Sequence, residues 1–327
     1  MSLAPYVRIM GRGPGRTRSL TRDEARHAMQ IILDGKAAPE ALGALLMLMR
    51  YRGETADEIA GFVDALSSDL VPWTMLRPAL DWPSYAAGRS RGAPYFLLSA
   101  KLIAQAGYSV LVHGWNSHQN ALASVSDTVR ALGIVTATTA ADANQALVKD
   151  GLVYVTLPDI SQPAFDLLLL RDVLGLRSCI NTVLRMLNPS GATASVQGVF
   201  HPSYRDLQSD AGRLLGRDKI TVIKGGGGEF ERHPGKDIAV HGLMRGQPLN
   251  DVAPALMNTA RRLHEPDAPL PAPTDVWNGT DTNTFAEAIV CGTAGLAFYT
   301  LGAAKTIAEA DSMARTFWQR RHHADAA

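Results

Sequence analysis

Cysteine is nearly absent: 327 residues contain only Cys179 and Cys291. Neither belongs to a CxxC pair or lies at ligand spacing from a histidine, which argues against both a disulfide framework and zinc. Such usage fits a reducing compartment, and a cytoplasmic location is expected. Net charge is lacking too: 32 Lys and Arg against 31 Asp and Glu leave +1, so the molecule as a whole does not advertise an anionic partner. No apolar segment follows the basic N-terminus, so no signal peptide is read there. The one stretch of bilayer-spanning length, residues 285–304, contains Glu287 and is rich in Gly, Ala and Thr. It reads as a buried core helix, and no membrane partner is expected.

What is present describes a globular protein with a substantial core: 46% apolar and 19% charged residues. Charge is uneven locally. The first 22 residues carry Arg8, Arg12, Arg16, Arg18 and Arg22 and no acid, and Arg315, Arg320, Arg321, His322 and His323 close the chain. Basic ends of this kind are either solvated tails or arms that grip phosphate.

Helical signals open the chain. Thr21 with Glu24, and Thr55 with Glu58, are capping boxes, each followed by an apolar-periodic run. Between them Pro39 suits a first helical turn, and the almost wholly apolar run 41–49 predicts a helix buried on several sides, in a bundle or at a subunit interface. Beyond residue 81 the texture alternates. Strands are expected at 108–112, 152–157, 192–200 and 220–223, with helices at 93–106, 126–132 and 141–149, and helical texture returns at 167–186. This alternation predicts an α/β fold: a small N-terminal helical bundle (1–78, joined by helices within 163–188) and a larger α/β domain (79–327) with a mainly parallel central sheet.

Ligands of such sheets sit at the strand ends, so three loops are candidates. His113, Gly114, Asn116 and Ser117 follow one strand and could line a substrate or phosphate pocket, or form an ordinary polar turn. Lys224 with Gly225, Gly226, Gly227 and Gly228 offers amides and a point charge to an anion, while Glu229 and Glu231 could hold Mg²⁺; a flexible surface loop is the alternative. The segment 83–92 contributes Arg89 and Arg91, suited to an anion or a nucleic-acid backbone, or to solvated hinge charges.

Taken together these segments resemble anthranilate phosphoribosyltransferase and its superfamily (glycosyltransferase family 3), which also holds the pyrimidine nucleoside phosphorylases. The likeness runs from the helical start with LLMLMRYRGE at 45–54, through Val110 to Asn116 where those enzymes read KHGN, to Arg171 and LGLRS at 174–178. Asn181, Asn188-Pro189, the loop 224–231 and the stretch 291–305 follow in the same order. The resemblance implies the transferase fold, a homodimer through the helical part, and Arg171 and His113 as catalytic candidates. It also implies Mg²⁺ and a phosphorylated small-molecule partner if the transferase site works.

Departures from the pattern point elsewhere. The GTGGD loop that holds pyrophosphate in the enzymes is replaced by 83–92, the lysine before His113 by Val112, and the metal-binding Asp-Glu by Phe230-Glu231. Losing an amide cradle and a carboxylate removes several kcal/mol, in order of magnitude, of leaving-group stabilisation, which argues against the ordinary anthranilate reaction. These replacements resemble a YbiB-type DNA-binding offshoot of the superfamily. The main expectation is therefore nucleic-acid binding without marked sequence preference, through Arg12, Arg16, Arg18, Arg89, Arg91, Lys224 and Arg232. The alternative is an active glycosyl or phosphoribosyl transferase on an unidentified substrate.

Overall fold

Both capping boxes form, and they set the helical start. Thr21 accepts the Glu24 N–H at the head of α2 (Arg22–Leu33), while the Glu24 carboxylate accepts the Thr21 N–H at 2.9 Å. Thr55 and Glu58 repeat the arrangement at α4 (Ala56–Asp69). Glu58 is buried, and its second oxygen accepts the Leu20 N–H at 2.8 Å, tying the approach to α2 onto α4. The two helices cross so closely that a Cβ on Gly61 would lie 2.3 Å from the Arg22 carbonyl. α1 (Ala4–Gly11), which the sequence reading did not find, packs on α3 (Pro39–Arg52). Only Leu45, Leu46 and Met49 of α3 are buried, so its apolar run is less enclosed than expected.

The computed structural model describes residues 2–13, 15–70, 76–85, 92–115, 123–259, 261–263, 265 and 269–322. Eight strands form one sheet in the order β3-β4-β2-β1-β5-β6-β7-β8. β1 (Leu80–Ser84), β2 (Val110–Gly114), β3 (Val135–Ala137), β4 (Leu152–Thr156), β5 (Ala194–Val199) and β6 (Lys219–Lys224) run parallel. β7 (Ile238–Met244) and β8 (Gln247–Ala253) add an antiparallel hairpin at one edge. A helical N-terminal part and a larger α/β part with a mostly parallel sheet are thus present, as the sequence implied.

Four strands escaped the sequence reading. β1 contains Pro83, which was placed in a loop. Its ladder with β5 stops at Asp81, so the proline, with no N–H to offer, follows the end of that pairing. β3 is short and half exposed, and the hairpin lies in a stretch the reading passed over. The single helical segment expected at 167–186 is two helices, α9 (Gln162–Leu174) and α10 (Ile180–Arg185), separated after Gly175 takes a left-handed conformation (φ 66°).

Each face of the sheet carries its own core. On one side the N-terminal helices join α9, α10 and α11 (Tyr204–Leu214) over Leu111, Val153, Val155 and Val222. The other is covered by α5 (Phe96–Gln105), α13 (Thr284–Leu301) and α14 (Ile307–Arg320). α13 is long and apolar enough to cross a membrane, but most of it is buried within the molecule, as a core helix should be.

Candidate functional site

Beyond the C-terminal end of β5, a cavity of about 730 Å³ opens between that strand, α9, α10 and α11. Arginines enter it from three helices: Arg50 from α3, Arg171 from the last turn of α9, and Arg185 from the last turn of α10, with Arg177 from the turn between α9 and α10. Phe200, His201 and Tyr204 add an aromatic wall, and the Phe200 and His201 rings meet edge to face at 4.9 Å.

Two of these cations, Arg177 and Arg185, form no ion pair among the described residues. Arg185 is 8% exposed, and the one bond it makes among the described residues runs from Nη2 to the Tyr85 carbonyl at 3.1 Å. Arg177 makes no ion pair or hydrogen bond among them. Burial pushes the pKa of Arg177 down from its ordinary value, and the like charges of Arg171 and Arg50 push it the same way. That of Arg185 is also lowered, chiefly by burial, with the Glu229 carboxylate opposing. Asp172 is the carboxylate at the rim, 3.5 Å from Arg171 and half exposed. A half-enclosed cluster of cations beside an aromatic wall can receive an anion, with room for a flat ring to pack beside it.

Two of the residues singled out in the first loop, His113 and Gly114, serve the interior. His113 is fully buried: Nε2 lies 3.0 Å from Asp81 Oδ1, and Nδ1 lies 2.8 Å from the Tyr85 hydroxyl. Asp81 also accepts the Ser195 hydroxyl at 2.8 Å. Ser195 with Asp81, and His113 with Tyr85, pack at the end of β1, whose next carbonyl takes Arg185, and His113 itself is closed off from the cavity. Gly114 is required by packing, since a Cβ there would lie 2.0 Å from the Ser84 carbonyl. Asn116 and Ser117 lie outside the described residues, as do Arg89 and Arg91.

The glycine loop also turns inward. The amides of Gly225, Gly226 and Gly228 donate to the carbonyls of Val199, Glu231 and Gly225, so three of its four glycine N–H groups do not face a ligand. A Cβ on Gly225 would sit 1.7 Å from the Glu229 carbonyl, which is why the glycine is needed there. Gly227, at φ 64°, closes the turn, and Lys224 is exposed. Glu229 and Glu231 are buried in different surroundings. Glu229 accepts the Ser84 hydroxyl at 3.0 Å, and Glu231 accepts the Phe96 N–H at 3.1 Å. Between them they hold the two ends of the connection from β1 to α5. No group of three potential metal ligands occurs among the described residues. Mg²⁺ is commonly held by one or two carboxylates together with substrate phosphates rather than by a cage of protein ligands.

Arg232 is likewise displaced from a surface role. It is fully buried, with Nη1 2.7 Å from Asp311 Oδ1 and Nη2 donating to the Pro254 carbonyl at 2.6 Å. Arg18 forms a two-pronged pair with Glu24, whereas Arg12 and Arg16 are exposed. The expected basic groove is not assembled from these residues. Of the cavity residues, only Arg171 had been chosen from the sequence. Arg50 and Arg177 lie inside the family-like segments 45–54 and 174–178 without standing out from them, and Arg185, in α10, carries no local signal.

Comparison with known proteins bears on these charges. Residues 6–68 match the glycosyl transferase family helical bundle domain, and residues 96–319 match the glycosyl transferase family a/b domain. The anthranilate phosphoribosyltransferase of Geobacillus kaustophilus is 29% identical over 317 residues, 91% of this chain and 89% of the relative. That of Xanthobacter autotrophicus is 30% identical over 224 residues, 68% and 65% of the two chains. Among solved structures, the Thermus thermophilus enzyme superimposes with a TM-score of 0.77 at 22% identity, over 97% of this chain and 94% of that one. The Saccharomyces cerevisiae enzyme in complex with PRPP and Mg gives 0.75 at 15% identity, over 97% and 93%. These findings overturn the nucleic-acid reading: the relatives are phosphoribosyltransferases, and the arginine invoked from the glycine loop is locked in an internal ion pair.

Proposed function

This chain belongs to the glycosyl transferase family, and from that membership we propose that it is a phosphoribosyltransferase whose acceptor is an aromatic carboxylate of the anthranilate kind. One observation supports the acceptor class above others: Arg177 and Arg185 stand at the cavity without a carboxylate partner among the described residues, beside the ring of Phe200. A benzoate-type carboxylate supplies the missing charge, and its ring supplies the face that Phe200 and Tyr204 pack against.

In such a transfer the acceptor nitrogen forms a bond to the ribose anomeric carbon as the bond from that carbon to pyrophosphate breaks, and the nitrogen loses a proton. The arginines bind and orient the acceptor through its carboxylate, leaving the amine directed outward to the ribose, and orientation of this kind is a large part of catalysis. Ser195 with Asp81, and His113 with Tyr85, pack at the end of β1, whose next carbonyl takes Arg185. Glu229 and Glu231 secure both ends of the connection from β1 to α5, which in sequence replaces the family's pyrophosphate loop. Mg²⁺ would enter on the pyrophosphate of the donor, supplying charge neutralisation there. A homodimer through the helical part belongs to the same proposal, supported by the half-buried Leu42, Met47 and Leu48 of α3. A monomeric mass by light scattering would remove it.

The deciding experiment mixes the protein with PRPP, Mg²⁺ and anthranilate, and follows pyrophosphate release together with loss of anthranilate fluorescence. Equal, protein-dependent changes in both are expected. If neither changes, and calorimetry detects no anthranilate binding, the proposed acceptor is wrong.

A further inference from the structure

The starts of β5 and β6 lie at the end of the sheet opposite the acceptor cavity, and a smaller cavity of about 240 Å³ opens there. Two guanidinium groups reach it. Arg217, in the turn between α11 and β6, donates from Nη2 to the Met186 and Leu187 carbonyls at 3.2 Å each. It forms no ion pair among the described residues; burial lowers its pKa, and the charges of Asp81 and Asp64 only partly oppose that. Arg77, from the segment leading into β1, is exposed, makes no ion pair among the described residues, and passes over Gly191, with Nε 3.9 Å from where a Cβ would stand. Lys219 adds a third positive charge, with Nζ donating to the Leu301 carbonyl at 2.9 Å. The carboxylate on the lining, Asp218, is exposed.

Gln197 makes this more than a basic hollow. Its side chain is 2% exposed and lines the cavity; Nε2 donates to the Ser195 hydroxyl at 3.3 Å, but Oε1 has no partner among the described residues. A buried amide oxygen left unpaired is costly, so the site calls for a donor at that point as well as negative charge at the arginines. We infer that this cavity is a second binding site, distinct from the acceptor cavity, for a small oxyanion that carries its own O–H, of the hydrogen phosphate kind. The anionic oxygens meet Arg77 and Arg217, and the hydroxyl donates to Gln197 Oε1. An anion with no hydrogen would leave that oxygen unpaired and facing like charge.

The test is calorimetric titration of the full-length protein with inorganic phosphate at constant ionic strength, without PRPP or acceptor. Saturable binding is expected, weakened about tenfold by Arg77→Met and by Gln197→Leu, the loss that follows removal of one charge-assisted or buried hydrogen bond. Gln197→Leu is near-isosteric and removes an unpaired buried oxygen, so folding should survive, and a retained Tm confirms that it has. Arg177→Met, in the acceptor cavity, should leave this binding unchanged, and sulfate, which carries no hydrogen at neutral pH, should bind more weakly than phosphate. Equal affinity of the wild type, Arg77→Met and Gln197→Leu for phosphate overturns the inference. So does binding that is lost in Arg177→Met instead, or no saturable binding at millimolar phosphate. Because no transfer step is measured, failure here is independent of whether the acceptor assignment holds.

Discussion

Arg232 and Arg185 are both buried arginines, on opposite faces of the same sheet, and the molecule treats them differently. Arg232 is enclosed by its own protein: Asp311 at 2.7 Å, the Pro254 carbonyl at 2.6 Å, and its main-chain N–H on the Thr293 hydroxyl at 3.0 Å. Arg185 has one carbonyl and a cavity. Burial lowers the pKa of both, yet only at Arg232 does a bonded carboxylate pull it back. A buried cation thus points to a ligand when the chain leaves its charge open, and to architecture when the chain closes it.

The largest effect that would test this contrast is at Arg232. Arg232→Met should cost about 3–5 kcal/mol, because Asp311 is left buried and uncompensated. Asp311 itself is raised in pKa, burial outweighing the attraction of Arg232, and buried pairs of this kind commonly give little net stability over apolar replacements. Replacing both, as Arg232→Met with Asp311→Leu, should recover most of the loss in urea unfolding. No recovery would mean that the ion pair does more than satisfy itself.

At the acceptor cavity the sign should reverse. Arg177→Met is expected to raise the KM for anthranilate roughly 10- to 100-fold, the equivalent of a lost charge-assisted hydrogen bond. Its Tm should stay level or rise, since an unpaired, half-buried charge has gone. A fall in Tm with unchanged KM would place Arg177 with Arg232, among the architectural charges.

A smaller, pH-dependent effect is expected next to Arg232. His233 accepts the Gly235 N–H at Nδ1 and places Nε2 3.0 Å from the Arg261 carbonyl, an arrangement that suits the neutral ring. Burial first, and then Lys236, lower its pKa below the ordinary 6.5. The unfolded chain therefore takes up the proton first. This contribution to stability is complete above pH 6.5 and declines as pH falls towards the folded-state value. His233→Gln should flatten that part of the pH–stability profile, and an unchanged slope would assign it to other groups.

The smallest effect concerns the surface pair Arg18–Glu24. Its hydrogen bond to Arg18, more than any other influence, brings the Glu24 carboxyl down to about 2. Arg18→Ala should return its titration towards the ordinary 4.5, read by NMR, with transfer kinetics unchanged. A kinetic effect would show that the N-terminal arginines do reach the site.

Much of the fold was legible because its signals are local. A threonine and a glutamate three residues apart begin a helix wherever the rest of the chain lies, and α2 and α4 start where their boxes say. The buried strands β2, β4, β5 and β6 read as short apolar runs between breakers. β1 did not, because Pro83 looks like a terminator until the early end of its ladder with β5 is known. The site was less legible. Glycines that resemble an anion cradle are there to let Glu229 pass close to Gly225, and a histidine at a strand end is sealed between Asp81 and Tyr85.

By itself the sequence determined the helix starts, the alternation that makes a parallel sheet, and the family motifs, since each rests on residues within a few positions of one another. Tertiary structure alone decided which charges are closed and which stay open. Arg232 meets a carboxylate 79 positions away, while Arg50, Arg171, Arg177 and Arg185 gather from three helices and one turn around a shared cavity. Whether a buried cation finds its counter-charge depends on distances across the fold, and those exist only once the sheet and its helices are assembled.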